Sequence, residues 1–513
     1  MGRCRDRRCR GLDAGSALAD CNIVGLGGDL TNQSDVTVNC DATENTAQGD
    51  GTNNNVVLTV GGGATLDTGG DDSIVLGSTG NAITVNGTVA GNGNFNVFLA
   101  GPATQSNNSI TVNGGGLITG GYTAIRFQSA ASNNTITVNA GATVSGYATG
   151  LHFGASASNN TIDIAAGGLV RGDSYGILFT GPASSNVVTV NGTVQADCNC
   201  SYGLGFLGDA IGNTITVGAA GSIISTSNIG LAIYGTSTGN TITVNAGGLI
   251  SGYYAGMQVN ATNNNNNITV NGTVLGAGTS VTSSGMNFYG TATGNQITIG
   301  AGSRVSGTDY GINFKYDTIG NTINVNGTLL TEVTPAASDL LVVGGTATLT
   351  GGTAQFSYLE PVLSGSYTFL TAGSIVGQYS SVVLPPSLFL GGAVSYTGNS
   401  AVFTLTHTSF VTAAPAENQQ ATAVALDLGY ASATGDAFTV MNAFNTFTSV
   451  PAAANAFGQL GGQVHTSLQT TGVASAQQFT GAVRQHLRRD KVRGGGTTAT
   501  AALADASSAY TTN

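Results

Sequence analysis

Basic residues are scarce in this chain: of its 513 residues 14 are Lys or Arg, and between positions 11 and 483 only Arg126, Arg171, Arg304 and Lys315 occur. Without a basic stripe nothing tracks a phosphate backbone, which excludes nucleic acid as a partner. Charged residues make up 8% of the sequence, against about a quarter in ordinary domains. That shortage argues against a typical helical or α/β enzyme. Tryptophan is absent and there are 8 prolines; so few prolines, with glycines that do not recur at every third position, exclude collagen. The 6 cysteines are too few to staple a chain this long. Long apolar runs are missing too, because Gly, Asn and Thr interrupt each one before it reaches the ~20 residues of a membrane-crossing helix.

What the chain does have is glycine, 79 residues of it, together with 41% hydrophobic residues and a mean hydropathy of +0.16. Disordered chains are poor in apolar residues and rich in charge, so this one is expected to fold. The formal charge of −11 arises from the shortage of base more than from abundant acid.

A repeat dominates the sequence. Its unit is Asn-x-Ile-Thr-Val-Asn-Gly, and its aliphatic marker falls at Leu58, Ile83, Ile110, Ile136, Ile162, Val188, Ile215, Ile242, Ile268, Ile297 and Ile323. Successive markers are 25 to 29 residues apart, most of them 26 or 27. Within a period, runs such as TITVN, GATVSG and TGLHF alternate, are β-branched and end in Gly, Asn or Ser, which predicts three strands and three corners. A unit that returns to its starting place is one coil of a parallel β-helix, and ten steps at about 4.8 Å give a rod of about 48 Å. Asn81, Asn108, Asn134, Asn160, Asn186, Asn213, Asn240, Asn295 and Asn321 precede their markers by two, as a turning residue whose amides bond above and below. Phe127, Phe153, Phe179, Val259 and Phe314, with Phe206 and Phe288 slightly displaced, form an expected interior ladder. Both columns read as scaffold.

The predicted fold class is therefore all-β: a right-handed parallel β-helix (solenoid) with a β cap and a short C-terminal helical segment. Residues 1–20 form an atypical N-terminal segment, a possible signal-peptide remnant, and 21–332 the β-helix. From 333 to 414 the period is lost while alternation persists, as expected of a cap that covers open strand edges. Residues 415–493 turn to Ala, Gln, Leu and Val and predict amphipathic helices. Residues 494–513 are a low-complexity tail.

Chemistry is sparse. Cys21 and Cys40 bracket a short segment and either close a loop in an oxidising compartment or stand independently; Cys198 and Cys200 are too close for a good mutual disulfide, and Cys4 and Cys9 lack a nearby His. No second ligand pair follows at a zinc-like interval, so no metal or other cofactor is expected. The acids and bases of the repeats are Asp163, Asp173, Asp197, Asp209, Asp309 and Asp317 with Arg171, Arg304 and Lys315; they form no column across adjacent coils. Gly172-Asp173-Ser174 with His152 does not assemble a serine-protease triad, and Gly69-Gly70-Asp71-Asp72 does not match a calcium-binding nonapeptide. His407, His465 and His486 read as surface or helix residues. Arg171-Gly172-Asp173 is a candidate cell-attachment tripeptide; the repeat places Gly172 with the corner glycines Gly120, Gly146, Gly252 and Gly307, on an expected exposed turn.

NTITVNAGATVSG at 134–146, NTITVNAGGLISG at 240–252, the run from Ser366 to Asp427 and the segment FGQLGGQVHTSLQTTGVASAQQFTGAVRQHLR at 457–488 together resemble the passenger of a Gram-negative autotransporter (type V secretion), with its passenger end and the linker before the translocating barrel. The resemblance covers residues 20–490 and is strongest after 366. It implies location at the cell surface or outside the cell and tethering to an outer-membrane β-barrel. Too little sequence follows Arg488 for barrel strands, and Ala17-Leu18-Ala19 has the form of a signal-peptidase site without an apolar core before it. A truncated or frameshifted reading of the gene would explain both ends. The expected function is that of a non-enzymatic adhesin or self-associating rod, its partner a host-cell or matrix receptor or another copy of itself. A carbohydrate-active β-helix enzyme, or a fragment that is not exported, are the alternatives.

Overall fold

The computed structural model describes residues 21–492, apart from 24–29, 31–32, 42, 199–200, 279–282, 309, 315–317, 335–337, 339, 359 and 361. The predicted ends, 1–20 and 494–513, lie outside the described residues. The chain is an all-β parallel solenoid of about 12 turns with a helical segment at its C-terminal end. It divides into two units, the first containing the solenoid and the second comprising 386–391 and 406–513.

One coil runs through Thr135–Val138, Thr143–Gly146, Thr149–Phe153 and Ala157–Ser158 before the next begins at Thr161. There are thus four strands per coil, where three were expected. The fourth has two residues, too few to show alternation, and is held by pairing to its equivalents above and below. Stacked coils form sheets of 17, 13, 10 and 9 strands, here called the first to fourth in the order in which a coil visits them.

Alternation sets the faces. In each TITV strand the Ile and final Val point inward and are fully buried, while the residues between them stay accessible. Like residues stack on like: Ile110 pairs with Ile136, Ile136 with Ile162, Ile162 with Val188. Each such side chain contributes roughly 1.5–3 kcal/mol through burial. In the third sheet Phe127, Phe153, Phe179 and Phe206 stack with centroids 4.9, 4.6 and 4.7 Å apart. Ile233 and Val259 interrupt the column before Phe288 and Phe314 resume it at 4.6 Å.

The asparagine column is a continuous amide ladder, but it does not turn the chain. Asn107, Asn133, Asn159, Ser185 and Asn265, each one residue before a ladder member, carry the positive φ of 53–56°, and Gly80, Gly212, Gly239, Gly294 and Gly320 take the same place in other coils. That left-handed residue redirects the backbone and leaves the next side chain inside, where Asn160 Nδ2 donates to Asn186 Oδ1 at 2.9 Å and Asn186 Nδ2 to Asn213 Oδ1 at 2.9 Å. Asn266 fills the gap between Asn240 and Asn295.

Stacking also extends beyond the marked repeats. Val38 pairs with Leu58 at one end and Ala347 with Ile323 at the other. Past residue 333 the first sheet continues through Leu341–Thr350 and Gly365–Gln378, and the second through Thr353–Tyr358 and Ser381–Val383, all in parallel register. The third and fourth sheets end at Phe314 and Ile319. A strand beginning at Ser400 then pairs antiparallel with the Gly365–Thr371 stretch, occupying an edge that would otherwise be open.

The second unit holds α1 (Glu417–Gly429), α2 (Gly435–Asn445), α3 (Val450–Leu460) and α4 (Gln463–Val492). Phe389, Phe410, Phe444 and Phe457 are buried against one another, with Phe444 and Phe457 stacked at 4.4 Å. No helix among the described residues is long and apolar enough to cross a membrane.

Candidate functional site

The outward face of the first sheet carries two columns of side chains, polar throughout except for Val187. One runs Thr135, Thr161, Val187, Thr214, Thr241, Asn267, Gln296 and Thr322; the other runs Thr137, Asp163, Thr189, Thr216, Thr243, Thr269, Thr298 and Asn324. The first column is exposed almost throughout and the second mostly half-buried. Backbone pairing spaces the rungs about 4.8 Å apart, so hydroxyls and amides recur at one fixed interval. At the edge of this face Asn139 Nδ2 donates to Asn113 Oδ1 at 2.8 Å and Asn113 Nδ2 to Asn86 Oδ1 at 2.7 Å.

Arg171-Gly172-Asp173 straddles a strand end. Arg171 lies within the strand Leu169–Gly172, opposite Ser145 and Gln195, with its side chain exposed and its Nη2 3.9 Å from Asp197 Oδ2. Gly172 is buried, not displayed on an exposed turn: a Cβ there would meet the Tyr175 and Ala148 carbonyls at 2.4 and 2.5 Å. A side chain at Gly172 would force this corner to shift, whereas the equivalent place in the next coil holds Ala196. The Asp173 N–H donates to Tyr147 O at 3.1 Å, and its carbonyl accepts from the Asp197 and Cys198 N–H groups at 2.9 and 2.7 Å. Arg171 and Asp173 therefore face a shallow groove of about 590 Å³, which Tyr122 and Tyr147 also line. These tyrosines are 59% and 70% exposed, with ring centroids 6.5 Å apart. Sequence reasoning passed over them, although the signal was legible: Gly120-Gly121-Tyr122, Gly146-Tyr147 and Gly252-Tyr253-Tyr254 place a tyrosine one or two residues after the corner glycine.

Cys21 and Cys40 are joined by a disulfide between directly opposed residues of an antiparallel strand pair. Cys198 is a half-buried free thiol 3.5 Å from Ser174 Oγ; Cys4, Cys9 and Cys200 lie outside the described residues. His152 meets Arg126 instead of Ser174, its Nδ1 3.4 Å from Nη1. Burial, reinforced by the neighbouring guanidinium, pushes the imidazole pKa down to about 4 and keeps it neutral at pH 7. The Arg126 guanidinium sits 4.8 Å over the Phe95 ring. Asp163 projects from the first sheet and Asp173 from the end of a second-sheet strand, so the coil they share does not bring them together. Asp309, Lys315 and Asp317 lie outside the described residues. Among the described residues no group of three His, Cys, Asp or Glu side chains is placed to hold a metal.

In the second unit His407 corrects the expectation of a surface residue. Its side chain is largely enclosed; Nε2 meets Asp427 Oδ1 at 2.8 Å and the ring stacks on Tyr430 at 3.6 Å. Burial raises the Asp427 pKa, but hydrogen bonds from Ser409, His407 and the Phe410 N–H outweigh it and hold the carboxyl below the usual aspartate range. Ser409 bonds to the carboxylate, an arrangement that ties the segment 407–410 to α1 within the second unit.

The sites thus rest on this chain's own geometry: no known family model, no curated protein and no solved structure matches it.

Proposed function

We propose that this chain is an autotransporter passenger, exposed at the cell surface or released, which acts without catalysis as an adhesin or self-associating solenoid. The observation that carries this reading is the outward face of the first sheet, with its double column of Thr, Asn and Gln repeated in register from coil to coil. A single exposed hydroxyl pair contributes little against water. Repeated at one spacing on two facing surfaces, such contacts add through multivalency, and avidity then exceeds any one contact. The scarcity of charge on this face, where Asp163 is the lone acid in the columns traced from Thr135 to Asn324, removes the like-charge repulsion that keeps surfaces apart. For a host-cell or matrix receptor, the groove with Arg171, Asp173, Tyr122 and Tyr147 is the place of contact.

Two measurements test this. Cell fractionation should recover the chain at the surface or in the medium. Sedimentation of the purified protein should show concentration-dependent association that drops at least tenfold in the Thr216→Glu/Thr243→Glu double variant, which places like charges on the face. Recovery from cytosol alone, or association indifferent to the added charges, would sink the proposal.

A further inference from the structure

A second groove, of about 610 Å³, lies over the third sheet. It is lined by Asn228, Tyr234, Tyr254, Gln258, Asn287 and Asn313 among others, and no described lining residue is charged. The outward column of this sheet reads Phe98, Arg126, His152, Leu178, Gly205, Ala232, Gln258, Asn287 and Asn313, coil by coil. The scaffold accepts an aromatic ring, a guanidinium, an imidazole, a leucine or no side chain at this position. The run of three carboxamides at its end is therefore not a requirement of stacking.

Nor does it behave like the interior ladder. Asn287 is only 7% exposed, and its Oδ1 has no hydrogen-bond partner among the described residues. An orphaned buried acceptor costs about 1–3 kcal/mol; this oxygen is closed to solvent, so a turn of the carboxamide into the groove that Asn287 lines would let a ligand hydroxyl offset the cost. Gln258 is already oriented, its Nε2 donating to Asn260 Oδ1 at 2.6 Å. The walls supply apolar faces: Tyr254 is 44% exposed, and Tyr234 is fixed by a 2.6 Å hydrogen bond between its hydroxyl and that of Tyr202.

We propose that this groove binds a neutral oligosaccharide. Carboxamides offer both donors and an acceptor to neighbouring ring hydroxyls, and tyrosine faces take the C–H side of a sugar while their hydroxyls remain wet. A concave site with aromatic walls and a few convergent polar groups is the ordinary form of a small-ligand pocket. The absence of charge in the described lining and the chain's net charge of −11 disfavour anionic glycans. Four strands at about 4.8 Å per step make the groove roughly 15 Å long, room for a short oligosaccharide. This inference stands apart from secretion and self-association, because it concerns a different sheet and needs neither.

The test uses the full chain, kept dilute enough to be monomeric. Calorimetric titration with cello-, malto-, xylo-, manno- and chito-hexaose is set beside tri-galacturonate and a heparin hexasaccharide. Binding of at least one neutral hexaose is expected, weakened at least tenfold by Asn287→Leu and by Tyr254→Ala. Tyr254→Ala is a surface change, and Asn287→Leu, which removes the orphaned acceptor, should not lower the thermal midpoint. Hydrogen exchange should slow on peptides covering 229–234, 255–260 and 284–289. Failure of every neutral hexaose to bind, binding of the anionic probes alone, or binding unaffected by both variants would overturn the proposal whatever the fractionation and sedimentation results show.

Discussion

The amide ladder offers the sharpest test of the fold, and Asn186 is its best member. It is fully buried. Its Oδ1 accepts from the Asn160 N–H and Nδ2 at 3.0 and 2.9 Å, and its Nδ2 donates to Ala157 O and Asn213 Oδ1 at 3.0 and 2.9 Å. Truncation to Ala removes all four bonds. Asn160 Nδ2 keeps Ala131 O, and Asn213 Oδ1 keeps the Asn186 N–H, so the Asn160 N–H bears most of the loss. One orphaned buried donor costs about 1–3 kcal/mol, and the small void adds to it, giving about 2–4 kcal/mol for Asn186→Ala. Asn186→Asp should cost more at neutral pH, since a buried carboxylate would confront two acceptors. Its folded-state pKa is then raised, and protonation at lower pH restores a donor, so the Asp variant should recover stability on acidification. Thr189→Ala, on the outward column of the strand Val187–Val190 that Asn186 leads into, should stay within about 0.5 kcal/mol. Because each coil touches only its neighbours, hydrogen exchange should report the loss in the coils of Asn160, Asn186 and Asn213 and leave distant coils protected. A cost for Asn186→Ala no larger than that of Thr189→Ala, or one spread evenly along the solenoid, would refute the ladder as a local structural element.

Two further outcomes follow from the third sheet. His152 has a depressed folded-state pKa of about 4 against about 6.5 when unfolded. The unfolded chain therefore binds the proton first as pH falls, and the stability present above pH 6.5 should decline through that window by at most about 3 kcal/mol; His152→Leu, which copies Leu178 of the next coil, should flatten the decline, as urea midpoints at pH 7 and 4.5 would reveal. Gly230→Ala should destabilise by about 1–3 kcal/mol, because the added Cβ would meet the Gly256 and Ser251 carbonyls at 2.7 Å, whereas Gly70→Ala, with nothing within 4 Å, should be neutral; equal midpoints for the two variants would contradict the close approach.

The solenoid was legible because its interior is written in single letters repeated at one interval. Ile110, Ile136 and Ile162 stack because a parallel sheet lays identical positions over one another, and a periodic sequence is the direct trace of that geometry. Features carrying no period were hidden. A two-residue strand such as Ala157–Ser158 shows no alternation. The left-handed position alternates among Asn, Ser and Gly, since all three tolerate positive φ, and so lacks a fixed letter. Asn266 was lost in a run of five asparagines, where only coordinates say which one points inward. For the sites, Arg171 and Asp173 were visible as a string, but the burial of Gly172 was not, because it depends on carbonyls of Ala148 and Tyr175. The groove over the third sheet was obscured by the 29-residue step from Ile268 to Ile297, which shifts Asn287 out of register with Gln258 when the sequence is read on a 26-residue grid.

These cases share a cause. In a stacked coil the inward columns answer to packing and hydrogen bonding with the coils above and below, so Phe127 to Phe206 and Asn81 to Asn321 are constrained by neighbours of the same kind. Outward columns answer to no such demand, as the mixture of Phe98, Arg126, Leu178 and Gly205 at one position shows. Repetition inside is therefore evidence of structure, while repetition outside, at a position the scaffold leaves free, requires a cause in solution. Exposed Tyr122 beside Tyr147 and Gln258, Asn287 and Asn313 in succession are two such cases. Binding should consequently respond to substitutions that leave unfolding unmoved, and folding to substitutions at ladder positions that no ligand can reach.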